Sequence, residues 1–463
     1  MTATVAPAPA DGAGAGADTG AGTPRRRPVA VTRILRLELV KQFSAWRVRL
    51  LILLCWLGPG LLVFAIDEQS TLPADTLFGR WMHATGWAGS LVVLGVAGTW
   101  ALPLVTSMVA GDVFASEDRL GTWRHLLVAV RSHRRIFAAK AIASLAVIGL
   151  LVAGLAFSSM LGGLLAEGNA PLVGLDGHLL SGSAAAGDVL LAWLCALAPT
   201  LALAAIGLLG SVALGRSPMG LLLPTLAALG MQVAQLLPLP VAVRLALPGY
   251  AFISWNGLFT DPRQLGPLLI GVAVSLVWAV VATALAYLIF LRRDFTNLNN
   301  DGAGRRVLTL GALPLAGLLA TTVCVVSLAT GAGAGGSGIT QDKVQRSLAT
   351  VFAHLYRYQQ AEMRQPPVTV AQLQATAACD KSEGLGPQAG SGNDWRCTVS
   401  YDVPGYNATA QAIYQLNVSA NGRYTADGDG PVQLNGYFLI VIAGKAVPNP
   451  LWQLDGNVDL LPR

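Results

Sequence analysis

Residues 111–140 read GDVFASEDRLGTWRHLLVAVRSHRRIFAAK, a charged interval between two long apolar blocks. Asp112, Glu117 and Asp118 precede six basic residues, Arg119, Arg124, Arg131, Arg134, Arg135 and Lys140. A connection needs only a few residues to reverse the chain, yet this one has thirty. Leu126, Leu127 and Val130 recur at helical spacing inside it. Such a stretch suits a docking element held close to a membrane. The plainer alternative is a solvated loop whose arginines only fix topology.

Other chemistry is sparse. No GxxxxGK[ST] phosphate loop occurs, and Gly444-Lys445 is followed by Ala446. The histidines stand at 83, 125, 133, 178 and 354, too scattered to suggest a metal cluster, and the cysteines lack zinc-site spacing. No cofactor is expected in this chain. Cys55, Cys195 and Cys324 fall singly in apolar blocks and read as packing residues. Cys379 and Cys397 enclose a short polar loop, where a disulfide is expected if that region lies in an oxidising compartment.

The elements that must position these residues are membrane helices. The chain is 53% hydrophobic and 12% charged, where soluble domains carry roughly 25% charged residues. A span needs roughly 20 mostly apolar residues. Seven such blocks lie near 48–66, 87–110, 141–166, 188–214, 219–237, 267–291 and 307–330, the fifth cut short by Pro238 and Pro240. None has Asp, Glu, Lys, Arg or His in its interior, which argues against proton coupling through the bundle. Residues 1–30 are rich in Ala, Gly, Thr and Pro and are expected to be disordered. Val31 to Arg47 has the rhythm of an amphipathic helix in the membrane interface.

Lys and Arg set the orientation. Nineteen fall in the N-terminal segment and alternate connections, against three (Arg80, Arg244 and Arg263) in the others. The N-terminus is therefore expected in the cytoplasm and, after seven spans, the C-terminus outside. The net charge of +6 belongs to this bias, not to a nucleic-acid partner. Residues 331–338 read as a flexible Gly-rich linker. Residues 339–463 have soluble composition, with helical spacing over Asp342 to Met363. Alternation around Trp395–Tyr401, Ala412–Val418 and Tyr437–Ile442, with a hairpin signal at Asn421-Gly422, suggests strands. The expected fold is an all-α polytopic bundle of about seven spans, preceded by an interfacial helix. A small α+β extracytoplasmic domain follows as an appended module.

The 111–140 interval resembles the connection between the second and third spans in membrane subunits of ABC transporters of the type-2 exporter class. The matching residues are Glu117, Gly121-Thr122, Leu126-Leu127 and Lys140; Val130 and His133 stand where that family often has Pro and Arg. The resemblance covers residues 31 to about 291, with an interfacial helix, six spans and a long segment, Pro238 to Pro267, before the sixth. The seventh span and C-terminal domain lie beyond it. The resemblance implies an export pathway formed with a second permease copy or paralogue within the membrane lipids. It also implies a separate cytoplasmic ATPase that binds ATP and magnesium. Glu117 and the Gly121 turn, with Thr122, Leu126 and Lys140, would make the ATPase contact. A membrane-anchored scaffold or sensor with a ligand-binding external domain is the other class of function compatible with the sequence.

Overall fold

A computed structural model describes residues 30–69, 76–215, 219–293, 295, 305, 308–331, 336–442 and 444–461. The expected disordered segment to residue 29 and linker residues 332–335 lie outside the described residues. Helix α1 (Val31–Ser44) meets α2 (Trp46–Asp67) at Ala45, which is extended. After a 3₁₀ turn at Gly79–Trp81 come α3 (Gly86–Val96) and α4 (Leu102–Leu120), then α5 (Trp123–Val130) and α6 (His133–Ala166). A short hairpin, β1 (Leu172–Val173) with β2 (Leu179–Leu180), leads to α7 (Gly182–Leu214) and α8 (Met219–Leu236). Short helices α9 (Val241–Leu245) and α10 (Pro248–Ala251) precede α11 (Leu265–Leu291) and α12 (Leu313–Thr330).

Six helices among the described residues are long and apolar enough to cross a membrane: α2, the α3–α4 run, α6, α7, α11 and α12 with its preceding turn. The chain is a multi-pass membrane protein. Two-thirds of the most apolar stretch of α7 is buried, against 11% for α12. Helix α7 is therefore the centre of the bundle and α12 its rim, where an apolar surface can face hydrocarbon.

Small residues let the helices approach. A Cβ on Gly162 of α6 would lie 2.6 Å from Gly60 Cα of α2, and Ser158 Oγ accepts the Gly60 amide at 3.0 Å. Trp193 of α7 donates to Ser90 Oγ of α3 at 3.0 Å, and Ser90 bonds Ser159 of α6 at 3.0 Å. These bonds satisfy hydroxyls that hydrocarbon cannot. The α3–α4 run widens into a π turn at Ala97–Ala101, just before Pro103. A wider turn accommodates a proline ring that would strike the carbonyl four residues earlier.

Two boundaries correct the sequence reading. The expected loop at 111–140 is helical through Leu120, and α6 begins at His133 instead of near 141. Both helices outrun their apolar blocks because their terminal turns are held by buried side chains.

In the C-terminal domain, α13 (Gln341–Glu362) packs on a five-stranded antiparallel sheet. Its strands are β3 (Thr376–Lys381), β4 (Gly392–Asp402), β5 (Thr409–Val418), β6 (Arg423–Gly428) and β9 (Gln453–Asn457), paired in that order. Val344, Leu348, Val351, Phe352 and Leu355 bury the helix stripe against Trp395, Val399, Tyr414, Leu416 and Tyr424. The expected hairpin forms between β5 and β6, where Gly422 adopts φ 89°. Cys379 and Cys397 face each other across β3 and β4 and are bonded. The expected strand at 437–442 forms as Leu439–Ile442 (β7) and, among the described residues, pairs with Lys445–Pro448 (β8) outside the main sheet.

The domain is not the loosely tethered module expected from its Gly-rich linker. Arg80, in the connection before α3, pairs with Asp455 of β9 at 3.1 Å and donates to the Gln453 carbonyl. Asn457 donates to Gln264 at the head of α11 at 2.8 Å, and Trp81 packs edge-on to Tyr358 of α13 at 5.6 Å. His354 of α13 reaches the Asp176 carbonyl in the β1–β2 hairpin at 2.8 Å. Gly177 (φ 80°) lies so close that a Cβ would stand 2.9 Å from Leu355 Cγ. Three connections at one end of the bundle thus form the seat of the domain.

Candidate functional site: a buried charged node at the α1 end

The opposite end of the bundle holds the residues that sequence singled out. Helix α4 stops because Gly121 takes φ 65°, letting the Thr122 amide return to the Glu117 carbonyl at 3.2 Å. Two residues later α5 begins, and Arg131 (φ 54°) ends it. This geometry turns the chain twice within about a dozen residues and lays α5 across the end of the bundle.

Glu117 and Asp118, adjacent in the last turn of α4, reach different neighbours. Lys140 of α6 donates to Glu117 Oε1 at 2.8 Å, to Glu38 Oε2 of α1 at 2.9 Å and to the Val113 carbonyl at 3.4 Å. All three donors of its ammonium are used. Glu117 also accepts from Lys41 of α1 and from the Thr122 hydroxyl. Side-chain exposure is 1% for Lys140, 2% for Glu117 and 4% for Glu38, whereas Lys41 is 43% exposed. Two carboxylates thus balance two ammonium groups inside a largely dry site.

Asp118 takes Arg293, which follows α11, at 2.9 Å and the Trp123 indole of α5 at 2.7 Å. Around them Phe114, Trp123, Phe137 and Phe290 form a ring cluster with neighbouring centroids 5.2 to 6.2 Å apart. One turn of α4 is therefore tied to α1, α5, α6 and the end of α11.

Glu117, expected at the ATPase contact, is buried and bonded within the protein. Its companions divide. Lys140 is buried, Thr122 caps the network, Leu126 packs half-buried against the core and Gly121 lies at the surface. The surface of α5 is instead made by Arg124, His125, Val128 and Ala129, with Leu120 beside it. Val128 is 72% and Leu120 60% exposed. Sequence reasoning missed Glu38, Lys41, Asp118, Trp123 and Arg293. Glu38, the lone acid in the basic stripe of α1, was the available signal.

Glu38, Glu117 and Asp118 are paired with Lys140 and Arg293 inside this buried cluster. Its capacity is mechanical, since displacing α5 must move Trp123, Asp118 and the end of α4 together. At the seat of the C-terminal domain, burial alone would raise the Asp176 carboxyl. The His178 ring, the Asp261 amide and the His354 charge outweigh it and hold Asp176 below its ordinary value.

No family model, curated protein or solved structure matches this chain. What can be said of function rests on the node, the exposed α5 and the bundle.

Proposed function

We propose that this chain is the membrane subunit of a multi-subunit ABC exporter of the type-2 class, driven by a separate cytoplasmic ATPase. The observation that carries the reading is the pairing of an exposed, mixed apolar and basic face on α5 with a buried charged node directly behind it. Such a pair can receive a push at the surface and distribute it to four helices. The resemblance around Glu117, Gly121-Thr122 and Lys140 supports the same assignment. ATP and magnesium belong to the partner, and a second permease copy or paralogue completes the pathway.

Seven crossings follow if α8 is counted. Ser211 near the end of α7 bonds the amides of Phe114 and Ala115 at the node end, whereas Val241 bonds Gly336 beside the C-terminal domain. Helix α8 carries the chain between them, and its 18 residues span about 27 Å at a rise of ~1.5 Å each. With the basic residues gathered at the α1 end, the node faces the cytoplasm and the C-terminal domain lies outside. Purification from the native membrane tests the reading. An ABC ATPase should accompany the chain, and its ATP hydrolysis should depend on the chain being present. Purification without any ATPase would favour the scaffold or sensor class.

A further inference from the structure

Beside the node, a cleft of about 280 Å³ opens between α1, α2, α4 and the start of α6. Its two halves differ in chemistry. Lys41, Arg47 and Arg119 stand around the mouth, each about half exposed. Asp112 pairs with both Arg47 and Arg119 at 3.7 Å, sharing one carboxylate between two guanidinium groups. Val48, Leu51, Met108 and Val109 line the apolar part. That wall continues onto Leu50, Leu54 and Leu104, which are 44%, 54% and 49% exposed on the flank of the bundle.

Gln42 supplies an independent sign of an occupant. It lines the cleft, yet its amide oxygen and nitrogen are both buried and have no hydrogen-bond partner among the described residues. Buried amides are ordinarily paired, because leaving them unpaired forfeits their hydration. Among the described residues of the cleft and the adjoining Glu117, Lys41, Arg47, Arg119 and Lys140 exceed Glu38, Asp112 and Glu117 by one positive charge.

We propose that the cleft binds an anionic phospholipid. Its phosphate sits among Lys41, Arg47 and Arg119, its polar headgroup bonds Gln42, and its acyl chains run over Val48, Leu51 and Met108. A soluble phosphate compound would leave the apolar wall wet, and a zwitterionic lipid would leave the charge surplus unanswered. The cleft opens where α1 lies along the bundle end and α2 begins its lipid-facing surface. A lipid in that leaflet can enter sideways without leaving the membrane. Because the lipid touches Lys41, which also holds Glu117, its presence bears on the node. The proposal does not depend on an ATPase partner.

The full-length chain, purified in detergent, is titrated with phosphatidylglycerol or phosphatidylcholine, and retained lipid is counted by native mass spectrometry. Wild type should retain phosphatidylglycerol preferentially. The R47Q/R119Q pair should weaken retention about fivefold for each guanidinium removed, the effect of one basic side chain near an anionic surface. R47K/R119K should keep most of it, which separates charge from misfolding. Equal retention of the two lipids by wild type, or unchanged retention in R47Q/R119Q, overturns the proposal. Displacement by glycerol phosphate at comparable concentration assigns the site to a soluble anion and overturns it too. So would a Met108→Cys variant that crosslinks to its counterpart in a second copy and leaves no room for lipid.

Discussion

Lys140 and Glu117 meet at 2.8 Å with 1% and 2% of their side chains exposed, so a charge two turns into α6 is neutralised at the end of α4. Burying two such ions is costly, and their attraction repays it only while both are present. The pair therefore serves as a register pin: it specifies where α4 ends against α6 more than it adds stability.

Removing one partner should be worse than removing both. Glu117→Gln or Lys140→Met alone should destabilise the protein by about 3–5 kcal/mol, because a buried charge loses its mate. The double variant should recover a substantial part of that loss. Thermal denaturation in detergent across the four proteins measures the coupling. Additive losses would mean that the two side chains do not act as a pair.

Substitutions on α5 should separate docking from folding. Arg124→Glu with Val128→Asp alters two exposed side chains and should change stability by no more than about 0.5 kcal/mol. If α5 is the ATPase contact, the same variant should lose the co-purifying ATPase. Retention of a fully stimulated ATPase would remove α5 from the interface.

Orientation can be read directly. Cysteines placed at His125 and Leu298 should react only with a reagent that reaches the cytoplasm. Those at Leu179 and Tyr406, both exposed beside or within the C-terminal domain, should react from outside in intact cells. Labelling of His125→Cys by an impermeant external reagent would reverse the topology.

The long apolar blocks were legible because nothing else keeps some twenty apolar residues together in one chain. Their ends were not. His133, Arg134 and Arg135 look like loop residues, yet they form the first turn of α6, where a helix can outlast the hydrocarbon. Glu117 reads as solvated because its neighbours in sequence are polar, while Lys41, 76 residues earlier, comes to it through the fold. The seat of the C-terminal domain was equally hidden. It is built from single polar residues far apart in the chain, such as Arg80 in a connection and Asp455 on β9, and neither carries a local pattern.

Acid should loosen that seat. The Asp176 carboxyl is held below its ordinary value of 3.8 when the chain is folded. A depressed carboxyl contributes stability that is complete above the ordinary value and is lost as pH falls through the lower, folded one. Protease access to the β1–β2 hairpin around Asp176 should therefore rise in that acid range and stay low at neutral pH. Asp176→Asn should show more access at neutral pH and less further change on acidification. A pH response identical to wild type would remove Asp176 as its source.

The contact between Arg80 and Gln453 also has a consequence for biogenesis. The two residues are 373 positions apart, so the connection before α3 is made long before the strand that closes on it. A nascent chain must hold this guanidinium in water while the remaining helices enter the bilayer. Only after β9 joins β6 does it acquire its carboxylate and carbonyl. The seat is thus completed only after all six of the long apolar helices have been synthesised, and a chain released before that point leaves the cation exposed to quality-control proteases.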